Sequence, residues 1–176
     1  MTLELSTADV PQEDDLQKVR LVVAAIGQGL QDTLSIAEQS GVSRRHVGYA
    51  INAAMVLGWA AEGEEELIAT ETGKKLLAAA VGSADERAIC KAAIEASPAL
   101  KALAPDLLAA SGPTREQLGD RIAEATGLSK STSMRRAQAL LAWRRQVLEA
   151  APAKATSEPA KPTSEPAQPT SEPAKP

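Results

Sequence analysis

Twice in this chain a helix-forming run stops at a glycine, one apolar residue follows, and a serine opens the next helix. The two breaks are Gly41-Val42-Ser43 and Gly127-Leu128-Ser129. Each follows a capped amphipathic run, Thr33 to Ser40 in one case and Thr114 to Thr126 in the other, and each precedes a helix with arginine in its first two turns. Glycine reaches the left-handed angles that end a helix, and a serine hydroxyl caps a helix start. The chain therefore repeats one local module, and its fold class is mainly α.

The repeat divides the sequence. Residues 1–12 form a polar leader, expected to be flexible, and residues 13–81 and 83–150 each carry one copy of the module as a small domain. Residues 151–176 run Thr156-Ser-Glu-Pro-Ala-Lys-Pro, Thr163-Ser-Glu-Pro-Ala-Gln-Pro and Thr170-Ser-Glu-Pro-Ala-Lys-Pro. With no large apolar side chain and few amide donors, this tail is expected to be disordered and extended. Phe is absent, Tyr occurs once and Trp twice, and alanine is abundant, a composition that favours close helix packing over a β-sandwich.

In the first unit Leu16, Val19, Val22, Val23 and Ile26 recur at helical spacing, and Thr33 reads as the cap of the next helix. Ser43 opens a third, stopped near Gly58. Trp59 to Thr70 reads as two short strands around a turn at Glu62-Gly63, and Thr70 as the cap of a return helix. In the second unit a helix from about Ala84 to Ala96 ends at Ser97-Pro98, and a short helical stretch occupies Ala99 to Leu108. Thr114 with Gln117 forms a capping box. The last helix, from Ser129, continues to about Leu148, and no second hairpin is legible after it.

The two post-glycine helices carry the candidate binding residues. In the first, Val47, Ile51, Ala54 and Met55 face inward while Arg45, Gly48, Tyr49 and Asn52 share the opposite face, with Arg44 at the start. Arginine can pair with guanine and asparagine with adenine through two parallel hydrogen bonds, so this face suits base readout. In the second, Lys130, Ser131, Arg135 and Gln138 share an exposed side, with Arg136, Arg144 and Arg145 nearby. Ala137, Leu140 and Leu141 supply core contacts, and Ser133 and Met134 compete for the inward first-turn position. Arg45, Tyr49, Asn52, Arg135 and Gln138 are expected near bases, and Arg44, Lys130, Arg136, Arg144 and Arg145 near phosphates. The bland alternative is a pair of solvated basic helices, the second pairing with Glu116, Asp120 or Glu124. His46 reads as a packing or surface residue and Trp143 as a core anchor.

Charge tempers this reading. The chain holds 19 basic and 23 acidic residues, a net of −4. From Glu13 to Val81 there are 6 basic and 10 acidic residues, and from Ser83 to Glu149 there are 10 and 8, so the second unit is better equipped for a polyanion. Glu62, Glu64, Glu65 and Glu66 crowd the hairpin, where they would repel phosphates.

Catalytic signatures are missing: there is no phosphate-binding Gly-x-x-x-x-Gly-Lys loop, no Gly-x-Ser-x-Gly elbow and no metal-ligand cluster, and the single Cys90 has no disulfide partner within the chain. No catalytic residue, cofactor or metal is expected. No secretory signal or membrane span is legible, so a cytoplasmic protein is expected.

The segment from Leu16 to Leu77 resembles a bacterial winged helix-turn-helix domain, through Ile36-Ala-Glu-Gln-Ser-Gly-Val-Ser, Leu57-Gly-Trp and Thr70-Glu-Thr-Gly-Lys-Lys-Leu-Leu. The segment from Glu86 to Leu148 resembles a second such module, of a kind associated with restriction and phage-defence loci, through Ala104-Pro-Asp-Leu-Leu, Thr126-Gly-Leu-Ser, Thr132, Arg135-Arg136-Ala137 and Leu141-Ala-Trp. The resemblance implies a non-enzymatic tandem winged-helix protein that reads double-stranded DNA with two recognition helices, as a transcriptional regulator or as the recognition part of a defence machine. A companion defence protein and a homodimer are further partners it allows. The acidic wing and the absence of a second wing depart from the pattern. The acidic first module gives weight to the alternative, a protein–protein adaptor built from the same folds with the tail as tether.

Overall fold

The stripe of Leu16, Val19, Val22, Val23 and Ile26 lies on one helix, α1 (Leu16–Gly27), and all five side chains are buried. The computed structural model describes residues 5–149. These form eight α-helices, one two-stranded antiparallel sheet and a 3-10 turn at Thr7–Asp9. After α1 come α2 (Thr33–Ser40), α3 (Arg44–Val56), β1 (Ala60–Glu62), β2 (Leu67–Ala69) and α4 (Glu71–Ala78). The second half holds α5 (Ala84–Ala96), α6 (Pro98–Leu103), α7 (Arg115–Thr126) and α8 (Lys130–Leu148). Residues 151–176, read as a disordered tail, lie outside the described residues.

The helix stops follow the local chemistry. Gly41 and Gly127 both adopt φ 69°, each as the residue closing its helix. The Ser129 hydroxyl accepts from the Thr132 amide, whereas Ser43 precedes α3 without a side-chain cap bond. Thr33 is not the cap of α2. Asp32 takes that place, its carboxylate accepting from the amides of Leu34 and Ser35, and Thr33 becomes the first helical residue. Thr114 and Gln117 form the reciprocal capping box. Pro98 ends α5 and starts α6, where a missing amide hydrogen costs nothing.

The hairpin pairs Ala60 with Ala69, Ala61 with Ile68 and Glu62 with Leu67. Its tip is wider than a turn at Glu62-Gly63, because the Gly63 amide bonds the Glu66 carbonyl at 2.7 Å. Gln31 clamps the outer edge: its amide group donates to the Leu67 carbonyl and accepts from the Leu67 amide. No strand follows α8 within the described residues.

α1 packs on α2, α3, α4 and β2, while α8 packs on α7 and α5. A continuous apolar cluster runs through both halves, from Val10 and Val19 to Leu140 and Trp143. The leader is what joins them, and here the expectation of flexibility up to residue 12 is corrected. Val10 and Pro11 are buried, and the chain from Ser6 to Asp15 lies as a strap between α3 and α8. Its carbonyls are acceptors for the far end of the sequence: Thr7 and Val10 for Arg136, Glu13 for the Trp143 indole, Asp14 for Gln146. Two buried apolar residues and four satisfied carbonyls outweigh the freedom of a short polar segment. A second pin is ionic. Arg20 on α1 reaches Glu86 on α5 at 2.8 Å and also donates to the carbonyls of Leu76, Leu77 and Ala79.

Candidate functional site

The inward face of α3 consists of Val47, Ala50, Ala53 and Ala54, all buried, whereas Met55, expected inward, is exposed and Ile51 is half-buried. Small side chains let α1 approach closely and turn the opposite face of α3 outward. Arg44, Arg45 and Gly48 are exposed there, and apart from the adjoining helix backbone no atom of the described residues lies within 4 Å of where a Gly48 side chain would begin. His46 and Tyr49 stack edge to face, with ring centroids 5.8 Å apart. Asn52 is not free. Its amide donates to the Ala8 carbonyl at 2.6 Å, so the strap occupies the group expected to read adenine.

On α8 the inward face is Ser133, Ala137, Leu140 and Trp143, all fully buried. Ser133 thus takes the inward position, and Met134 lies half-buried over Gly119 of α7. Arg135, Gln138 and Arg145 point to solvent. Lys130 is exposed and stands 3.6 Å from Asp120, one of the pairings the bland alternative required.

Two arginines expected near phosphates are turned to the chain itself. Arg136 is only 9% exposed, and its guanidinium holds the strap carbonyls of Thr7 and Val10. Burial, and then the adjacent Arg135 charge, pull its pKa below the ordinary arginine value. Arg144 gathers the carbonyls of Leu107, Ala109 and Ala110, closing the loop after α6. Helical spacing could not reveal this, because the acceptors come from segments 34 to 129 positions away.

The remaining side chains converge. Arg45, His46 and Tyr49 of α3 and Thr132, Arg135 and Arg136 of α8 line one cavity of about 140 Å³, completed by Gln12 of the strap. Among the described residues no carboxylate lines it. Behind it sits Glu13, buried, with Oε2 2.8 Å from His46 Nδ1 and Oε1 3.3 Å from Lys18 Nζ. The two helices, expected to act separately, present their basic N-terminal turns to a shared concavity. Scans against protein-family models, curated proteins and solved structures found no match.

Gln12, Thr132 and Glu13 were not legible as site residues. Glu13 belongs to an acidic run, Glu13-Asp14-Asp15, in which nothing local says which carboxylate turns inward. Among the described residues no group of three or more His, Cys, Asp or Glu is placed to hold a metal ion, and no helix is long and apolar enough to cross a membrane.

Proposed function

We propose that this is a non-enzymatic DNA-binding protein of tandem winged helix-turn-helix type, a transcriptional regulator or the recognition component of a restriction or defence system. The observation that carries the reading is a set of exposed arginines, Arg44, Arg45, Arg135 and Arg145, none with a carboxylate of the described residues within 4 Å. Unpaired guanidinium groups on two helices that meet at one cavity suit an external polyanion. The geometry modifies the expected contact mode. Arg45 and Arg135 line the same cavity, so α3 and α8 would approach the duplex as one surface. Arg136, Arg144 and Asn52 leave the contact set and become supports for it.

Binding of duplex oligonucleotides across a salt series tests this. A base-reading Arg135→Ala should cost about 1 to 3 kcal/mol, and a phosphate-contacting Arg145→Ala should lower the salt slope by about 1. Parent-like behaviour of both variants contradicts the reading. The adaptor alternative is favoured by the hairpin tip, where exposed Glu62, Glu64, Glu65 and Glu66 border a shallow cleft floored by Ile51 and Met55. Failure to retain any sequence from a random oligonucleotide pool would select it.

A further inference from the structure

We propose that the cavity between α3 and α8 is a binding site for a single phosphate group, held by Arg45 and Arg135 with Arg136 as its buried wall. Its volume of about 140 Å³ is several times the roughly 30 Å³ of one water molecule, room for a phosphate with part of its hydration. Planar guanidinium forks match phosphate oxygens in pairs, and Thr132, Tyr49 and Gln12 add neutral donors.

The independent observation is Arg136. It is nine-tenths buried, it lines the cavity, and among the described residues only its Nη1 is hydrogen-bonded, to the strap carbonyls of Thr7 and Val10, while its Nε has no partner. An incompletely bonded guanidinium beside the like charge of Arg135 is what an oxyanion in the cavity would resolve. The carboxylate of Glu13, which approaches from behind His46, is already engaged by His46 and Lys18.

The phosphate could belong to a nucleic-acid backbone or to a small phosphorylated ligand; the site rests on the DNA-binding reading only for that choice. The test is calorimetric titration of the full chain with inorganic phosphate, at constant ionic strength against chloride. Saturable binding is expected, weakened about tenfold or more in Arg45→Ala and in Arg135→Ala. Lys101→Ala, which removes an exposed cation outside the cavity, should leave it unchanged. No saturable binding, or equal binding by the Arg45 and Arg135 variants, overturns the proposal even if DNA is still bound. Repeating the titration with duplex present assigns the source. Loss of phosphate binding marks a backbone phosphate, and its persistence marks a small ligand. Phosphate binding in a protein that retains no DNA would sink the functional reading and leave the site standing.

Discussion

The indole of Trp143 donates to the main-chain carbonyl of Glu13 at 2.9 Å, across 130 positions of sequence, and the carboxylate of that same Glu13 is paired with His46 at 2.8 Å. One strap residue therefore touches both helices of the candidate site. Its carbonyl fixes α8, its side chain fixes α3, and the cavity between them inherits its shape from both contacts.

Trp143→Phe keeps most of the buried apolar surface but leaves the Glu13 carbonyl without its donor. The expected loss is about 1 to 3 kcal/mol. Urea denaturation should show a lower midpoint with an unchanged slope, and an unshifted midpoint would count against the strap as a stabilising element.

Two glycines on helices should respond in opposite directions. A side chain at Gly73 would begin 2.1 Å from the Trp59 carbonyl oxygen, a contact with backbone that cannot swing away, so Gly73→Ala should cost about 1 to 3 kcal/mol or more. Gly48 faces open space, so Gly48→Ala should raise stability by about 1 kcal/mol. If α3 approaches DNA closely there, the same substitution weakens duplex binding while the protein melts higher. Thermal melts paired with anisotropy measurements separate the two effects.

Arg20 and Glu86 form a buried pair, with side chains 11% and 4% exposed. Removing one partner of such a pair typically costs about 3 to 5 kcal/mol. Arg20→Ala strands the carbonyls of Leu76, Leu77 and Ala79, and Glu86→Ala strands the Gly82 amide, the Gln17 side chain and the Arg20 charge, so both should lower the unfolding midpoint. A parent-like midpoint in guanidinium for either variant would refute this.

Burial, with the Glu86 charge behind it, pushes the Cys90 thiol up to about 12 from an ordinary 9.0. The folded state thus favours the neutral thiol. That contribution is complete below pH 9 and is lost as pH rises toward 12. At neutral pH the native thiol should react with a disulfide reagent far more slowly than in urea, at a rate set by opening of the fold. Native reactivity matching that of the unfolded chain would contradict it.

Much of the architecture was readable from nearest neighbours. Gly41, Gly127, Thr70, Thr114 and Pro98 act within a few residues of themselves, and the helices start and stop where their chemistry demands. Asp32 displaced Thr33 as a cap for the same kind of local reason, a carboxylate one position earlier being the stronger acceptor. The site was only half readable. Helical periodicity placed Arg45 and Arg135 on outward faces, but could not show that Arg136 would turn to Val10 or Arg144 to Leu107.

By itself, then, the chain's order of residues determined the helices, the hairpin and most of the faces they would bury, because caps, glycine angles and apolar spacing are short-range forces. Only the tertiary structure decided which cations stay available and that α3 and α8 share a cavity. Those outcomes depend on carbonyls that go unpaired in the strap and in the loop after α6. Which guanidinium satisfies them is settled by packing across the whole fold, at separations where no local pattern carries information.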